Sequence, residues 1–316
     1  MDKLREPAGG GERVALVECP RDAYQGFTRP IPTARKAAHL ATLVRAGFTT
    51  IDFGSFVSPK AVPQMADTEA VWSELCPLLA APPAAPAPEF PPIRAVDWIG
   101  IVANERGLER LLALPGITTA GYPFSCSETF QQRNTGASIA QSFARLEALL
   151  AACRAAGRRL NVYLSMAFGN PFGDPWSADQ VARLAERLRA RGVQSLQLAD
   201  TVGTATPATI GALVSTVGAT MRGATFGVHL HARTDDFAGK VDAALAAGCR
   251  CFDAALGGSG GCPFAGDDLV GNLPTEGLVA HLRARGFEPG IAPAALAAAA
   301  ASAAAIRHDF AGAAPR

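Results

Sequence analysis

The sequence predicts one large α/β domain built as a closed (β/α)8 barrel. Short runs of β-forming residues alternate with longer amphipathic segments along most of the 316-residue chain. Eight such runs, each followed by a crossover segment, are the number that a closed barrel requires. The length also suffices, since a barrel of this kind takes about 250 residues. An open, doubly wound sheet is the alternative that the same alternation allows.

The eight candidate strands are short apolar runs, and in chain order they are 14–18, 49–53, 95–102, 117–122, 160–165, 195–198, 225–231 and 250–254. The segments between them repeat apolar residues at spacings of three and four, which predicts helices at 33–46, 139–156, 178–190, 207–221 and 235–247. Pro207 suits the first position of its helix. Glycines that favour a left-handed turn close several segments just before the next strand, namely Gly47, Gly157, Gly192 and Gly248.

The chain divides into three parts by composition. Residues 1–12 are charged and glycine-rich and predict a flexible N-terminus. Residues 13–286 carry the barrel pattern, and residues 287–316 predict an Ala-rich C-terminal helical extension. Within the barrel, residues 77–92 are rich in Pro and Ala and predict a surface connection in the polyproline II conformation. The stretch 291–306 is mostly Ala and contains a proline, so we expect a helix of a soluble protein there rather than a membrane span.

The charge balance argues against several classes of partner. Twenty-nine Lys and Arg residues face 28 Asp and Glu residues, and the net charge of +1 gives no support for nucleic-acid or membrane binding. A hydrophobic content of 49% excludes disorder as the main state. The seven cysteines form no C-x-x-C pair and the first residues form no apolar signal core, so we expect reduced thiols and a cytoplasmic protein.

His229 and His231 form an H-x-H pair at the end of the seventh candidate strand. Residues two apart on a strand point to the same side, so both imidazoles are expected at the barrel mouth where such enzymes build their active sites. Two histidines placed in this way are half of a metal site. A buried, hydrogen-bonded histidine pair would have the same sequence.

Charged residues follow two other strands at the same mouth. Arg21 and Asp22 come directly after the first strand, where Asp22 offers an oxygen ligand beside a fixed cation. Asp200 follows the sixth strand. The alternatives are a surface salt bridge for the Arg–Asp pair and a helix N-cap for Asp200.

A glycine-rich segment, 257–261, follows the last strand and leads to Cys262. Such a segment suits a lid over the mouth, and an accessible thiol in it could move a proton. A phosphate cradle and an inert structural thiol are the alternatives. Beyond the segment, Asn272 offers an amide oxygen as a further metal ligand.

Taken together, these motifs resemble the 3-hydroxy-3-methylglutaryl-CoA (HMG-CoA) lyase family of the DRE-TIM metallolyase superfamily. The resemblance runs from about Val14 to His281. It rests on PRDAYQ at 20–25, GSFVSPKAVPQMAD at 54–67, SETF at 127–130, ADTVGTATP at 199–207, HLH at 229–231, and the stretch from GGSGGCPFA to GNLPTE at 257–276.

The resemblance implies a TIM barrel that uses Mg²⁺ or Mn²⁺ to cleave HMG-CoA, an acyl-CoA, into acetyl-CoA and acetoacetate, a reaction of leucine degradation. The implied metal ligands are Asp22, His229, His231 and Asn272. The implied catalytic residues are Arg21 for the enolate, Cys262 as acid and base on carbon, and Asp22, His229 or Asp200 for the hydroxyl proton. The implied substrate contacts are Arg21, Gln25, Asp52, Ser55 and Thr201. A homodimer is the expected assembly.

The chain departs from the family pattern at a few positions. Asp52 stands where the family usually has Glu, and Ala232 and Arg233 follow the second histidine where Asp is common. Tyr24 lies in the segment after Asp22, which also differs from the family's usual sequence. Tyr24 and Arg233 are therefore expected to reshape the acyl pocket. Two further hypotheses are a related lyase, aldolase or condensing enzyme for another 3-hydroxyacyl-CoA or 2-oxo acid, and a barrel that has lost catalysis and serves in binding.

Overall fold

Eight parallel strands close into a barrel, so the fold prediction is confirmed and the open-sheet alternative is wrong. The computed structural model describes residues 11–80, 95–233, 235–261 and 270–312. A short strand β1, Glu12–Arg13, pairs outside the barrel with β10, Phe287–Glu288. The barrel strands are β2 Ala15–Glu18, β3 Thr50–Ser55, β4 Asp97–Ile101, β5 Thr119–Ser125, β6 Arg159–Ser165, β7 Ser195–Ala199, β8 Thr225–His229 and β9 Cys251–Ala254.

Closure comes from the pairing of the first and last barrel strands. β2 runs parallel to β9 in register from Ala15 opposite Cys251 to Glu18 opposite Ala254. All barrel strands therefore present their carboxyl ends at one mouth, where residues that are far apart in sequence meet.

The helices surround this barrel, and those predicted from periodicity end within two residues of their predicted limits. In chain order the helices are α1 Pro20–Gln25, α2 Thr33–Ala46, α3 Thr68–Ala80, α4 Glu105–Leu112, α5 Glu128–Thr135, α6 Ile139–Ala155, α7 Ala178–Ala190, α8 Pro207–Thr220, α9 Phe237–Ala246, α10 Thr275–Ala284 and α11 Pro293–Phe310. Large apolar side chains such as Trp98, Phe252 and Leu146 fill the layer between strands and helices. Of the described helices, none has the length and apolar character needed to cross a membrane.

Strand β5 extends three residues beyond the predicted end at Tyr122, through Pro123. A proline cannot donate a ladder hydrogen bond, so a strand that runs through one needs a local explanation. On the β4 side the pairing of β5 already ends at Gly121, so the missing N–H of Pro123 leaves no partner unsatisfied there. The β6 side continues in register to Ser125.

The polyproline prediction is wrong for residues 77–80, which form the last turn of α3. Pro77 is exposed, and its ring costs the helix one backbone hydrogen bond near its end, where that loss is tolerated. Residues 81–92 of the predicted connection lie outside the described residues. At the other end of the chain, α11 packs on α2 and buries Leu296, Ala299 and Ile306.

Glu18 joins the end of β2 to the segment that follows β9. Its side chain is 1% exposed, and its two oxygens accept hydrogen bonds from the Leu256 N–H at 2.8 Å and the Thr275 hydroxyl at 2.6 Å. Burial raises the pKa of this carboxyl from 4.5 to about 8. Because the folded state holds the proton more tightly, the stability from this group is full below about pH 4.5 and is lost as the pH rises through about 8.

We expect Glu18→Gln to flatten this dependence, because an amide keeps both contacts without a charge. The difference in Tm between the variant and the parent should grow by a few degrees from pH 5 to pH 8.5, since about 1 kcal/mol moves the Tm of a large domain by about 2–4 °C. Thermal melts across this range measure it, with the exposed Glu74→Gln as control. A constant difference at all pH values would contradict the assignment.

Candidate active site

The site begins on α1, a six-residue helix that starts directly after β2. Pro20 occupies the first turn of this helix, where a missing N–H costs nothing. The helix places Arg21, Asp22 and Gln25 on one face at the carboxyl-end mouth. Gln25 donates to one Asp22 oxygen at 3.0 Å, and Arg21 donates to the same oxygen at 2.8 Å.

Asp22 meets the H-x-H pair at the centre of the mouth. The ligand atoms of Asp22, His229 and His231 all lie within 4.8 Å of one another, and all three residues are buried. His229 ends β8, while His231 forms a bridge with Asn272 from the last barrel loop. The structure thus brings together the four residues expected to bind a metal, from three separate parts of the sequence.

Two atoms in this cluster are buried and have no hydrogen-bond partner within the described chain: His231 Nε2 and Asn272 Oδ1. The orientation of the Asn272 amide follows from its neighbours. Its nitrogen faces an Asp22 oxygen and the Ser259 carbonyl, each at 2.8 Å, and both are acceptors, so the amide oxygen is the free end. Free imidazole and amide ligands beside a carboxylate fit a divalent cation.

The protonation states of Asp22 and His231 suit metal binding as well. Burial alone would raise the pKa of Asp22, but Arg21 and the two histidines hold it at about 2. Burial lowers the pKa of His231 to about 4, with a contribution from the neighbouring His229. At neutral pH the site therefore offers an ionised carboxylate and a neutral imidazole, the forms that bind metals. A hydrogen-bonded histidine pair does not explain the motif, because His231 Nε2 is unpaired.

Asp253, at the end of β9, orients His229. Its Oδ2 lies 3.1 Å from His229 Nδ1, which turns the other ring nitrogen towards the cluster. Burial opposes the charged form of His229, but the hydrogen bond and charge of Asp253 raise its pKa overall. Sequence reasoning missed Asp253. The available signal was an acidic residue facing inward on the strand next to the H-x-H strand.

Arg21 is clamped by two carboxylates. Its Nε lies 3.1 Å and 3.2 Å from the two Asp52 oxygens, and a terminal nitrogen also contacts Asp52. The Arg21 and Asp22 side chains are only 12% and 9% exposed, so the surface salt-bridge alternative is wrong. Asp52, although shorter than the Glu usual in the family, still makes a bidentate contact with the guanidinium.

Asp200 lies at the same mouth, but outside the described clusters of metal-ligating groups. Its Oδ1 accepts from the Ala205 N–H at 3.1 Å, while its Oδ2 is buried without a hydrogen-bond partner, 3.7 Å from the Lys240 ammonium. Burial raises its pKa to about 6. The N-cap alternative is wrong, because Thr206 caps α8 through the Thr209 N–H.

The remaining predicted substrate contacts, Ser55 and Thr201, are buried at the mouth and hydrogen-bonded to backbone. The Ser55 hydroxyl accepts from the Val57 N–H at 3.4 Å, and the Thr201 hydroxyl accepts from the Met166 N–H at 2.8 Å. Met166 has a φ of 56°, a conformation unusual for a residue other than glycine. Thr201 thus supports a strained turn after β6 at the edge of the site.

Tyr163 is a further site residue that sequence reasoning missed. Its ring packs edge-on against His229 with centroids 6.1 Å apart, and its hydroxyl is buried without a partner in the described chain. Burial, with the nearby charges of Asp52 and Asp253, holds the pKa of this hydroxyl well above 10. A neutral donor therefore faces the site, and its signal was an inward-facing tyrosine on β6.

The glycine-rich segment closely approaches the candidate metal ligands Asn272 and Asp22. A Cβ on Gly260 would lie 2.5 Å from the Asn272 amide nitrogen and 2.9 Å from the Asp22 carbonyl oxygen, and its φ of 103° also requires glycine. The segment therefore packs against both α1 and the last barrel loop. Cys262 lies outside the described residues.

Two of the family departures have a clear place. Tyr24 is buried in a cluster with Phe27, His39 and Ile306, so it contributes to packing under α11. That it also shapes the acyl pocket stays a prediction. Arg233 is exposed and Ala232 is buried. Nothing in the structure explains the replacement of the usual acidic residue by Ala232.

The chain forms a parallel (β/α)8 barrel with buried carboxylate and histidine side chains at its carboxyl-end mouth. TIM-barrel enzymes build their active sites at this end, so the fold and the site place the protein in that class. Comparison with known proteins narrows this class. The HMGL-like family matches residues 14–302, and the chain belongs to this family.

Relatives and solved structures agree with this membership. The mitochondrial hydroxymethylglutaryl-CoA lyase of Rattus norvegicus is 32% identical over 89% of this chain and 81% of its own length, and the enzyme of Pseudomonas mevalonii is 30% identical over 86% and 85%. The Brucella melitensis HMG-CoA lyase structure has a TM-score of 0.83 at 32% identity and covers 94% of this chain and all of its own. The family resemblance is confirmed.

We expect His231→Ala to weaken metal binding, because it removes one of the two unpaired buried ligand atoms. Changing even an outer partner of a metal ligand typically costs about 10–100-fold in affinity or activity, so a loss of at least tenfold in Mn²⁺ affinity is expected. Titration of free Mn²⁺ by electron paramagnetic resonance measures this. His308→Ala, at a side chain 89% exposed, is the control. Unchanged Mn²⁺ affinity in the His231 variant would reject the ligand assignment.

Proposed function

We propose that this protein is a carbon–carbon lyase that cleaves 3-hydroxy-3-methylglutaryl-CoA to acetyl-CoA and acetoacetate with the help of a divalent cation. One observation carries the proposal. In this chain, which belongs to the HMGL-like family, Asp22, His229, His231 and Asn272 lie together. The group contains two unpaired ligand atoms and lies beside Arg21. The HMG-CoA lyase of Acinetobacter baumannii, with 30% identity and a TM-score of 0.82, was solved in complex with coenzyme A and 3-methylmalate.

The reaction breaks the bond between C2 and C3 of a tertiary alcohol. The electrons of that bond pass to the thioester as an enolate, the hydroxyl loses its proton, and C3 becomes the ketone of acetoacetate. Asp22, His229, His231 and Asn272 would hold the cation. When bound, a cation such as Mg²⁺ or Mn²⁺ supplies Lewis acidity that lowers the pKa of the alcohol and orients the substrate.

Arg21 would stabilise the negative charge that develops on the enolate oxygen. Its guanidinium is always charged, and its contacts with Asp52 and Asp22 fix its position before the substrate arrives. A donor that is oriented in advance lowers the barrier because it needs no reorganisation during the reaction.

Two proton transfers remain. Of the three candidates for the hydroxyl proton, Asp22 and His229 already engage neighbouring groups, whereas Asp200 keeps a buried carboxylate oxygen without a hydrogen-bond partner. We therefore assign the general base to Asp200. Cys262 would deliver a proton to C2 of the enolate, with the glycine-rich segment excluding water around it.

Several finer points stay predictions. They are the choice of Mg²⁺ or Mn²⁺, the role in leucine degradation, the homodimer and the cytoplasmic location. The six cysteines within the described residues are unpaired, which supports a reducing compartment. A related lyase for another acyl-CoA is the second candidate, because Ala232 and Arg233 replace the usual sequence after His231.

The first test is a cleavage assay with HMG-CoA and protein loaded with Mn²⁺, following acetoacetate with and without a chelator. We expect product that disappears when the metal is removed and returns when it is restored. Folded, Mn²⁺-loaded protein that yields no acetoacetate would reject this substrate. The same assay with other 3-hydroxyacyl-CoA thioesters would then test the second candidate.

We expect Cys262→Ala to lower turnover by about 10²–10⁴-fold while leaving the Mn²⁺ content unchanged, because it removes a proton donor but no metal ligand. Steady-state kinetics and metal analysis of the same preparation measure the two effects. Cys76→Ala, at a partly buried cysteine on α3, is the matched control. Near-parental turnover in the Cys262 variant would remove this thiol from the mechanism.

A further inference from the structure

A cavity lies at the amino-terminal end of the barrel, opposite the candidate active site. It has a volume of about 530 Å³, and the first residue of every barrel strand lines it, from Ala15 of β2 to Cys251 of β9. This size falls within the range of small-molecule sites, which is about 300–1,000 Å³. None of the proposed catalytic residues lines this cavity, so its role is independent of the proposed function.

Two buried amide side chains lie on its otherwise largely apolar inner wall, although barrel interiors are usually filled by branched aliphatic side chains. Asn161 and Gln197 each have 3% exposure and both line the cavity. One end of each amide is engaged: the Ser195 hydroxyl contacts the Asn161 oxygen at 2.6 Å, and the Gln197 nitrogen lies 3.4 Å from the Cys251 sulfur. The other end of each amide has no partner within the described chain. Buried amide groups of this kind need a polar partner in the cavity.

The rim of the cavity carries an excess of positive charge. Arg154, Arg158 and Arg159 line it, against a single acidic residue, Asp97. Arg159 pairs with Asp97 at 2.7 Å, which neutralises both. Arg154 donates to the Gly192 carbonyl at 3.1 Å, and the Arg158 Nε is buried without a partner in the described residues. Two guanidinium groups are therefore available to an anion.

We propose that this cavity binds a small anionic metabolite through carboxylate or phosphate oxygens. Arg158 and Arg154 would hold the anionic group, since the planar guanidinium matches either oxyanion with paired hydrogen bonds. The free amide ends of Asn161 and Gln197 would contact the polar inner end of the same molecule. The ligand thus spans from the charged rim to the inner amides, which requires more than a chloride ion.

Calorimetric titration of the whole protein tests this proposal, with inorganic phosphate and citrate as the two probes at matched ionic strength. We expect saturable binding of one anion per chain, with Arg158→Gln and Asn161→Leu each weakening it by tenfold or more. Arg106→Gln, at an exposed residue of α4 that does not line the cavity, is the matched control and should bind as the parent does. Tighter binding of phosphate indicates a phosphorylated ligand, and tighter binding of citrate a carboxylate.

These titrations also distinguish specific anion binding from a cavity that holds only water and from general charge attraction. Should Asn161→Leu fail to fold, Arg158→Gln at the rim still decides the question. No saturable heat with either probe means that the cavity holds water alone, and the proposal is then wrong. Equal weakening by Arg106→Gln and Arg158→Gln would show general charge attraction and would also overturn it. HMG-CoA cleavage is measured separately, so neither result depends on the lyase assignment.

Discussion

The carboxylate of Asp22 is the point on which the catalytic end of this molecule depends. It accepts hydrogen bonds from Arg21, Gln25 and Asn272, and one of its oxygens lies within 4.8 Å of a ring nitrogen of each of two histidines. A buried carboxylate is costly unless it is paired and hydrogen-bonded, so these contacts hold it in one charged state. Because the partners come from α1 and from the last barrel loop, the same interaction joins the first and last parts of the barrel.

This arrangement explains why the segment after β9 has so little room for side chains. Asn272 can leave its oxygen free only if its nitrogen reaches both Asp22 and the Ser259 carbonyl. That contact draws the chain around Gly260 against α1, where a Cβ would collide with Asn272. Glycine is thus required here by the positions of Asn272 and Asp22, two of the proposed metal ligands. Flexibility of a lid is not the only reason for the composition of this segment.

The strands and the main helices could be predicted from the sequence because their apolar periodicity is a local property. Asp22, His229 and His231 could be identified for a related reason, since each lies at or just after the end of a strand that its apolar residues predict. Asp253 and Tyr163 were missed because one acid or one tyrosine in a strand has no motif around it, and its role depends on which neighbour the barrel closure supplies. Whether a strand or helix continues through a proline likewise depends on whether a neighbouring backbone carbonyl needs the missing N–H. The tertiary structure decides this.

Buried polar side chains lie at both ends of the barrel interior, and a small apolar cluster lies between them. Val17 and Ile99 line the amino-terminal cavity and pack with Cys19, which belongs to a ligand group with His229 and Asp253. This apolar layer separates the polar side chains of the two ends. The buried charged groups at the carboxyl-end mouth therefore have apolar side chains beneath them, and charges interact more strongly in such surroundings than in water.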